Sequence, residues 1–513
     1  MARKSAALPL LALLGACAVG PDFEPPTPWW NPGSWLGPGQ PASPAVSQPV
    51  AEPVDPQWWK LFADPVLTDL EQRLAEANLD VRLASIRLAE ARISVAVAEA
   101  AALPSVNGNT SYTRQQLSKK GALSLISTGT AASQANGAGQ AQSGAEVPNV
   151  GLFSPFDLYQ YGFDASWEID FWGRVRRNVE SAGASMDASE DARRDTLLTA
   201  AAELARDYIQ LRGAQRNIDI TRQNLDIARQ SLDLTRERAE GGLTTELDVA
   251  NAAAQVASTA AQLPTLEAQQ AQLMNAVALL LGDKPAAMTA RLATTQPIPP
   301  VPPLVPVGLP SELARRRPDI RRAEAQLHAA TANVGVAVGD FYPRFTLSGS
   351  AALQAVQLSD LASWNNALTY AVGPSITLPI FQGGRLTRTL ELRQTQQQEA
   401  AITYQRTVLG ALHEVDNALT AYQAEQRRRE QLEQAVAQNR RALVLARDRY
   451  TQGVTDFLDV LEVQRSLLAA EQQLTDSTTT VSTDLVQIYK ALGGGWETDF
   501  PLPPPPAENR AAL

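Results

Sequence analysis

The chain says the same thing twice, and each copy contains a run of 67 residues without proline, 174–240 and 385–451. Residues 234–249 read LTRERAEGGLTTELDV, and 445–460 read LARDRYTQGVTDFLDV. Arg236, Arg238, Gly242, Thr244, Leu247, Asp248 and Val249 recur as Arg447, Arg449, Gly453, Thr455, Leu458, Asp459 and Val460. The offset from Arg236 to Arg447 is 211 residues. Self-similarity on this scale means one supersecondary unit built twice. At 1.5 Å per residue, each proline-free run is a helix of about 100 Å if unbroken, longer than a globular domain can hold. Upstream, Asp80 matches Asp319 at an offset of 239, so the first copy carries 28 extra residues between Pro104 and Arg174. Residues 117–150 have the Gly/Ala/Ser/Gln bias of a long surface loop and account for that insertion.

Each copy follows one grammar: helix, strand, loop, strand, long helix, turn, helix. The stretches 66–102 and 244–281 predict single helices of about 55 Å, which end to end match one long rod. Leu432, Val436, Asn439, Leu443, Ala446 and Tyr450 step by four and three residues, a heptad seam. Its counterpart, Thr221, Leu225, Ala228, Leu232, Thr235 and Ala239, is richer in small residues, which allow close helix approach. Locally this is an antiparallel coiled coil, and a coiled coil alone leaves the strands unexplained.

Tyr159, Tyr161, Phe163, Ala165, Trp167 and Ile169 alternate with polar or small residues, as do Phe345 to Leu353 and Tyr370 to Ile380. Such dyadic runs of roughly ten residues suit membrane strands, apolar to lipid and polar to a lumen. A soluble sandwich gives similar alternation. Residues 104–113 are the fourth strand, with a weak pattern. Four strands do not close a barrel, since the smallest have about eight, and open edges in lipid are costly. The chain is therefore expected to oligomerise, with a trimer of twelve strands as the economical closure.

Cys17 is the only cysteine among 513 residues and follows Leu14-Gly15-Ala16. Arg3 and Lys4 precede a short apolar stretch, too short to span a bilayer, which reads as a secretory signal at 1–16. The small residues before Cys17 resemble a bacterial lipobox, whose thiol is lipidated. The expected modification is an N-acyl group and an S-diacylglycerol on Cys17. Each acyl CH₂ in lipid is worth roughly 0.8 kcal/mol, so several chains anchor stably. Ala18 stands where an aspartate resembles an inner-membrane retention signal, which favours the outer membrane.

Composition excludes other classes. A net charge of −10 and a pI near 5.0 oppose nucleic-acid binding, which needs clustered Lys and Arg. The two histidines, His328 and His413, are not at ligand spacing, so no metal site is expected. No Ser-His-Asp or phosphate-cradle constellation is present, and the chain does not read as an enzyme. Residues 17–56 form a lipidated strap with 11 prolines between 21 and 56. The copies occupy 57–282 and 311–493, joined by a linker at 283–310 and trailed by a tail at 494–513.

The start CAVGPDF at 17–23, WWKLFADP at 58–65, RPDIRRAE at 317–324 and GDFYP at 339–343 resemble the TolC-like outer membrane efflux family, NodT-type lipoprotein branch. The resemblance covers nearly the whole mature chain. It implies an α+β membrane protein: a homotrimeric 12-stranded outer membrane β-barrel, four strands per chain, continuous with a long periplasmic α-helical barrel. It further implies a periplasmic adaptor (membrane fusion protein) and an inner-membrane RND-type transporter as partners. Export of small toxic compounds (drugs, solvents or metal ions) is expected, with type I protein secretion as the alternative.

The reversals at Gly241-Gly242 and Gly453 form the expected periplasmic tip, where glycine supplies the backbone freedom a turn needs. Asp456, Asp459 and Glu462 are spaced by three and share one helix face. Tripled by symmetry, they would form an acidic ring that favours cations and latches Arg447 or Arg449 of a neighbouring helix. By resemblance, Asp459 and Glu462 occupy the constriction positions, and Arg449 and Tyr450 a gate position. Thr455 departs from relatives that carry a basic residue there. Asp248 is the first-copy mate of Asp459. Gly242, Leu243 and Thr244, with Gly453, Val454 and Thr455, are the expected adaptor-docking surface. An ordinary solvated helix face is the competing reading for the carboxylates.

Overall fold

The structure, a computed structural model, describes residues 18–26, 47–116, 155–308 and 313–500. Cys17, the loop at 117–150 and most of the proline-rich strap lie outside the described residues. The first half contains β1 (Gln48–Val50), a 3-10 turn (Trp58–Phe62), α1 (Pro65–Ala77), α2 (Leu79–Ala100), β2 (Ser105–Gln115) and β3 (Phe156–Ile169). It continues with α3 (Arg174–Glu240) and α4 (Glu246–Leu280). The second half contains α5 (Thr289–Leu292), β4 (Leu304–Pro306), α6 (Leu313–Arg316), α7 (Pro318–Gly339) and β5 (Arg344–Ala355). A 3-10 turn (Leu358–Ala362), α8 (Trp364–Ala367), β6 (Leu368–Thr377), α9 (Arg385–Thr451) and α10 (Phe457–Leu492) complete it. Both proline-free runs are single helices of 67 residues.

The stretch 66–102 is not one helix, as periodicity suggests, but two, broken at Asn78. Asn78 is extended (φ −66°, ψ 127°), and its Oδ1 accepts from the amides of Asp80 and Val81 at 2.9 and 3.0 Å. It thereby caps α2 while ending α1. Its Nδ2 donates to Leu280 O at 2.8 Å. The second copy builds the same joint from different residues: Arg317 separates α6 from α7, and its Nη1 donates to Ala491 O at 2.7 Å. Gly282 and Gly493 close the two joints with φ of +67° and +75°. A Cβ there would meet Ala77 O or Arg317 at 2.8 Å, so only glycine fits.

The chain divides into two compact units. The first, described by residues 18–22, 95–116, 155–181 and 331–394, is built on an antiparallel sheet in the order β2-β3-β5-β6. Register puts Val106 beside Ala165 and Gly349, and then Val372; Trp167 lies beside Leu347 and Pro374. Every second position therefore adds to one apolar face, and the other face carries Asn107, Asp164, Ser350 and their neighbours. That apolar face is open: Phe163 is 64% exposed, Tyr370 76% and Val372 75%. Aromatic pairs gather at one end of the sheet, Phe171 with Phe345 at 4.7 Å and Trp172 with Tyr342 at 4.8 Å. Residues just after Cys17 pack there too. Val19 N donates to Trp172 O at 3.0 Å, and Asp22 pairs with buried Arg177. A Cβ on Gly20 would lie 2.5 Å from the Gly335 Cα.

The second unit holds two cores. One gathers Trp58, Trp59, Phe62, Tyr208, Tyr422, Tyr489 and Trp496, with Trp58 stacked on Tyr489 at 5.5 Å. Parallel strands β1 and β4 belong to this unit, as does Arg212, wholly buried, which donates to Gln215, Tyr208 and the Thr294 carbonyl. Tyr208 in turn donates to Asp64, the cap of α1, at 2.8 Å. The smaller core gathers Leu232, Ala252, Val436, Leu443, Tyr450, Phe457 and Val460. It lies inside the helix pairs that end at the two turns.

Candidate functional site: the paired helix turns

Both turns have one backbone design. In the first, Leu243 N donates to Arg238 O at 2.8 Å and Gly242 N to Ala239 O at 2.9 Å, with Gly242 at φ +70°. In the second, Val454 N donates to Arg449 O at 2.9 Å and Gly453 N to Tyr450 O at 3.0 Å, with Gly453 at φ +73°. The long bond from the residue after a left-handed glycine satisfies carbonyls that a helix end otherwise leaves orphaned. Four apolar side chains stand clear of both turns. Leu243 and Leu247 are 69% and 67% exposed, and their mates Val454 and Leu458 are 60% and 57% exposed.

The two helices that leave the turns begin differently. Thr245 caps α4 and forms a reciprocal capping box with Asp248. The Asp248 carboxylate also accepts from the Thr244 hydroxyl at 2.6 Å. These bonds, that from Thr244 foremost, hold the Asp248 carboxyl below its usual range. The stability they add is present above the ordinary aspartate range and is lost as pH falls through the depressed value. In the second copy Asp456 replaces the capping threonine, and its side chain makes no cap bond. Two carboxylates share no hydrogen there, so Asp459 is not drawn into a box. Among the described residues Asp456, Asp459 and Glu462 are exposed and form no ion pair, on one face at a spacing of three.

The expected gate residues separate. Arg449 is exposed, whereas Tyr450 is 4% exposed within the smaller core, packed on Phe457 at 5.4 Å. Arg447 donates to Ile227 O and Ser231 Oγ at 3.3 and 3.2 Å, and burial lowers its pKa. Among the described residues Arg447 thus latches no carboxylate. Sequence inspection missed Arg238, the mate of Arg449. Its guanidinium lies 4.7 Å from the Tyr450 ring centre and donates to Thr451 O at 3.1 Å, tying the end of α3 to the end of α9. The repeat offset pointed to it. Of the docking residues, Thr244 is engaged with Asp248, while the buried Thr455 hydroxyl has no partner among the described residues.

The outer membrane efflux protein profile matches residues 70–283 and 309–494. The chain belongs to that family. The pyoverdine export outer membrane protein OpmQ of Pseudomonas putida is 33% identical over 503 residues, 96% of this chain and 98% of that protein. Nodulation protein T of Rhizobium leguminosarum bv. viciae is 30% identical over 99% of this chain and 96% of its own length. The solved structure of the outer-membrane channel OprN superposes with a TM-score of 0.81 at 33% identity, covering 94% of this chain and all of that one. The function is accordingly that of the outer membrane component of an efflux system.

For an efflux protein, unequal helix starts have a mechanical consequence: side chains cap α4 after the first turn, and none caps α10 after the second. Thr245→Ala should cost about 1 kcal/mol at the start of α4. Amide exchange at 246–249 is expected to quicken several-fold, while Asp456→Ala leaves 457–460 within twofold of the parent. Equal effects at both turns would mean that the capping difference is immaterial.

Proposed function

We propose that three copies of this chain close a twelve-stranded outer membrane barrel and a helical tunnel, through which small compounds delivered by an inner-membrane pump leave the cell. The observation that carries this reading is the open sheet, apolar and exposed on one face, with β2 and β6 unpaired on their outer edges among the described residues. Two copies would give eight strands, whose interior side chains fill; three leave a lumen. Leu83, Ile86, Ile93 and Val97 of α2 are exposed along one stripe, and Leu392, Ile402 and Leu409 of α9 are also exposed. These apolar stripes suit contact between copies. The reading assigns no catalytic step.

In this arrangement the turns meet an adaptor through Leu243, Leu247, Val454 and Leu458, apolar groups of the kind that mark interaction sites. Asp459, left out of any capping box, and Glu462, exposed on the same face, form the cation-preferring constriction. An RND-type transporter supplies the cargo, and relatives named for pyoverdine and solvent export favour small molecules over proteins. Cys17 carries the lipid that holds the strap at the membrane.

The double change Asp459→Ala with Glu462→Ala is expected to raise resting conductance and lower cation preference of the trimer in planar bilayers. It removes six carboxylates, whose field attracts cations while like charges crowd at the axis. An unaltered reversal potential under a salt gradient, from assembled trimer, would rule the ring out. Separately, Cys17→Ser should abolish incorporation of labelled palmitate while some trimer persists, because strand insertion is a second attachment. Undiminished labelling would refute the lipid assignment.

A further inference from the structure

Glu71 occupies a position where an apolar residue is expected. On α1 it continues the buried stripe of Leu67, Leu70 and Leu74, and it is 4% exposed. Among the described residues neither of its carboxyl oxygens has a hydrogen-bond partner. A buried carboxylate without partners is costly, and the group escapes that cost by keeping its proton.

The charges around it offer no relief. From the C-terminal segment Asp499 faces Glu71, and that neighbour is itself acidic. On α1, Asp69 is taken by Arg291 at 2.5 Å, Arg73 lies 3.7 Å from Asp283, and Glu76 faces Asp499. From α3, the Arg193 guanidinium lies 4.0 Å from the Phe500 ring centre. Arg194 Nε donates to Phe500 O at 3.4 Å, while its other nitrogens bind Glu190 and Asp191. The basic groups thus hold the segment itself rather than the buried acid. Trp496, at the other end of this segment, is 1% exposed and donates to Gly493 O and Arg316 O.

We propose that Glu71 and Asp499 form a proton-dependent latch, which seats Asp499–Phe500 against α1 while Glu71 is neutral and loosens it when Glu71 ionises. The direction follows from burial first and Asp499 second, both of which push the Glu71 carboxyl well above its usual range; burial and Glu76 raise Asp499 as well. Stability lent by a raised carboxyl is complete at low pH and is lost as pH rises through the folded-state pKa. Rising pH therefore loosens this segment, independently of any event at the helix turns.

Amide exchange of residues 494–500 in the detergent-solubilised full-length protein tests this, corrected for the intrinsic pH dependence of exchange. The Phe500 amide, bonded to Trp496 O at 2.9 Å, is the reporter. Protection is expected to fall at least tenfold between pH 5 and pH 9 in the parent, and to stay within twofold in Glu71→Gln. Glu71→Met, a neutral chain of similar length, should give the same flat profile and serves if the amide variant does not fold. A parent profile as flat as the variants', or variants that lose protection as the parent does, would overturn the latch.

Discussion

A β-sheet edge in hydrocarbon is the constraint on which the rest depends. In an antiparallel ladder alternate residues point their backbone groups away from the neighbour, so each outer strand here leaves about five N–H and five C=O groups unpaired. At roughly 1–3 kcal/mol for each buried group left unsatisfied, two such edges cost on the order of tens of kcal/mol. Whole-domain stability is about 5–15 kcal/mol, so a single chain does not bear that cost in a bilayer. Yet the same sheet exposes Phe163, Tyr370 and Val372, which water does not favour. Partner strands from further copies satisfy both demands, edges paired and apolar face in lipid.

Duplication supplied the parts, and small divergences between the copies changed their local bonding. The joints at Asn78 and Arg317 make equivalent bonds, to Leu280 O and Ala491 O, with unlike side chains. At the turns the backbone bonds are the same, yet Thr245 became Asp456 in the other copy, which undoes the capping box. Asp248 is engaged in holding its own helix start, whereas the start of α10 has no side-chain cap. Arg238 likewise stacks on Tyr450, while Arg449 stays in water.

Much of this was legible in the sequence because the signals are local. Glycines at the ends of long proline-free stretches, Gly173 and Gly241, Gly384 and Gly453, placed α3 and α9, and period-two alternation found β3, β5 and β6. The strand expected through Ile380 ends at Thr377 instead, before Leu378 and Pro379. What was not legible depends on contacts distant in sequence. The break at Asn78 has no proline or glycine to announce it, and it rests on a carbonyl 202 residues away. Glu71 looks like any helical glutamate until Asp499 and the surrounding leucines are placed. Tyr450 matched a gate position, but its burial on Phe457 comes from the fold of the turn.

The most direct test of strand closure is the mass of the intact assembly, released from detergent micelles and weighed in the gas phase. Three-chain closure predicts one dominant species at three times the mature mass, with monomer appearing only after heating. A dominant monomer or dimer that still conducts ions in a bilayer would contradict it.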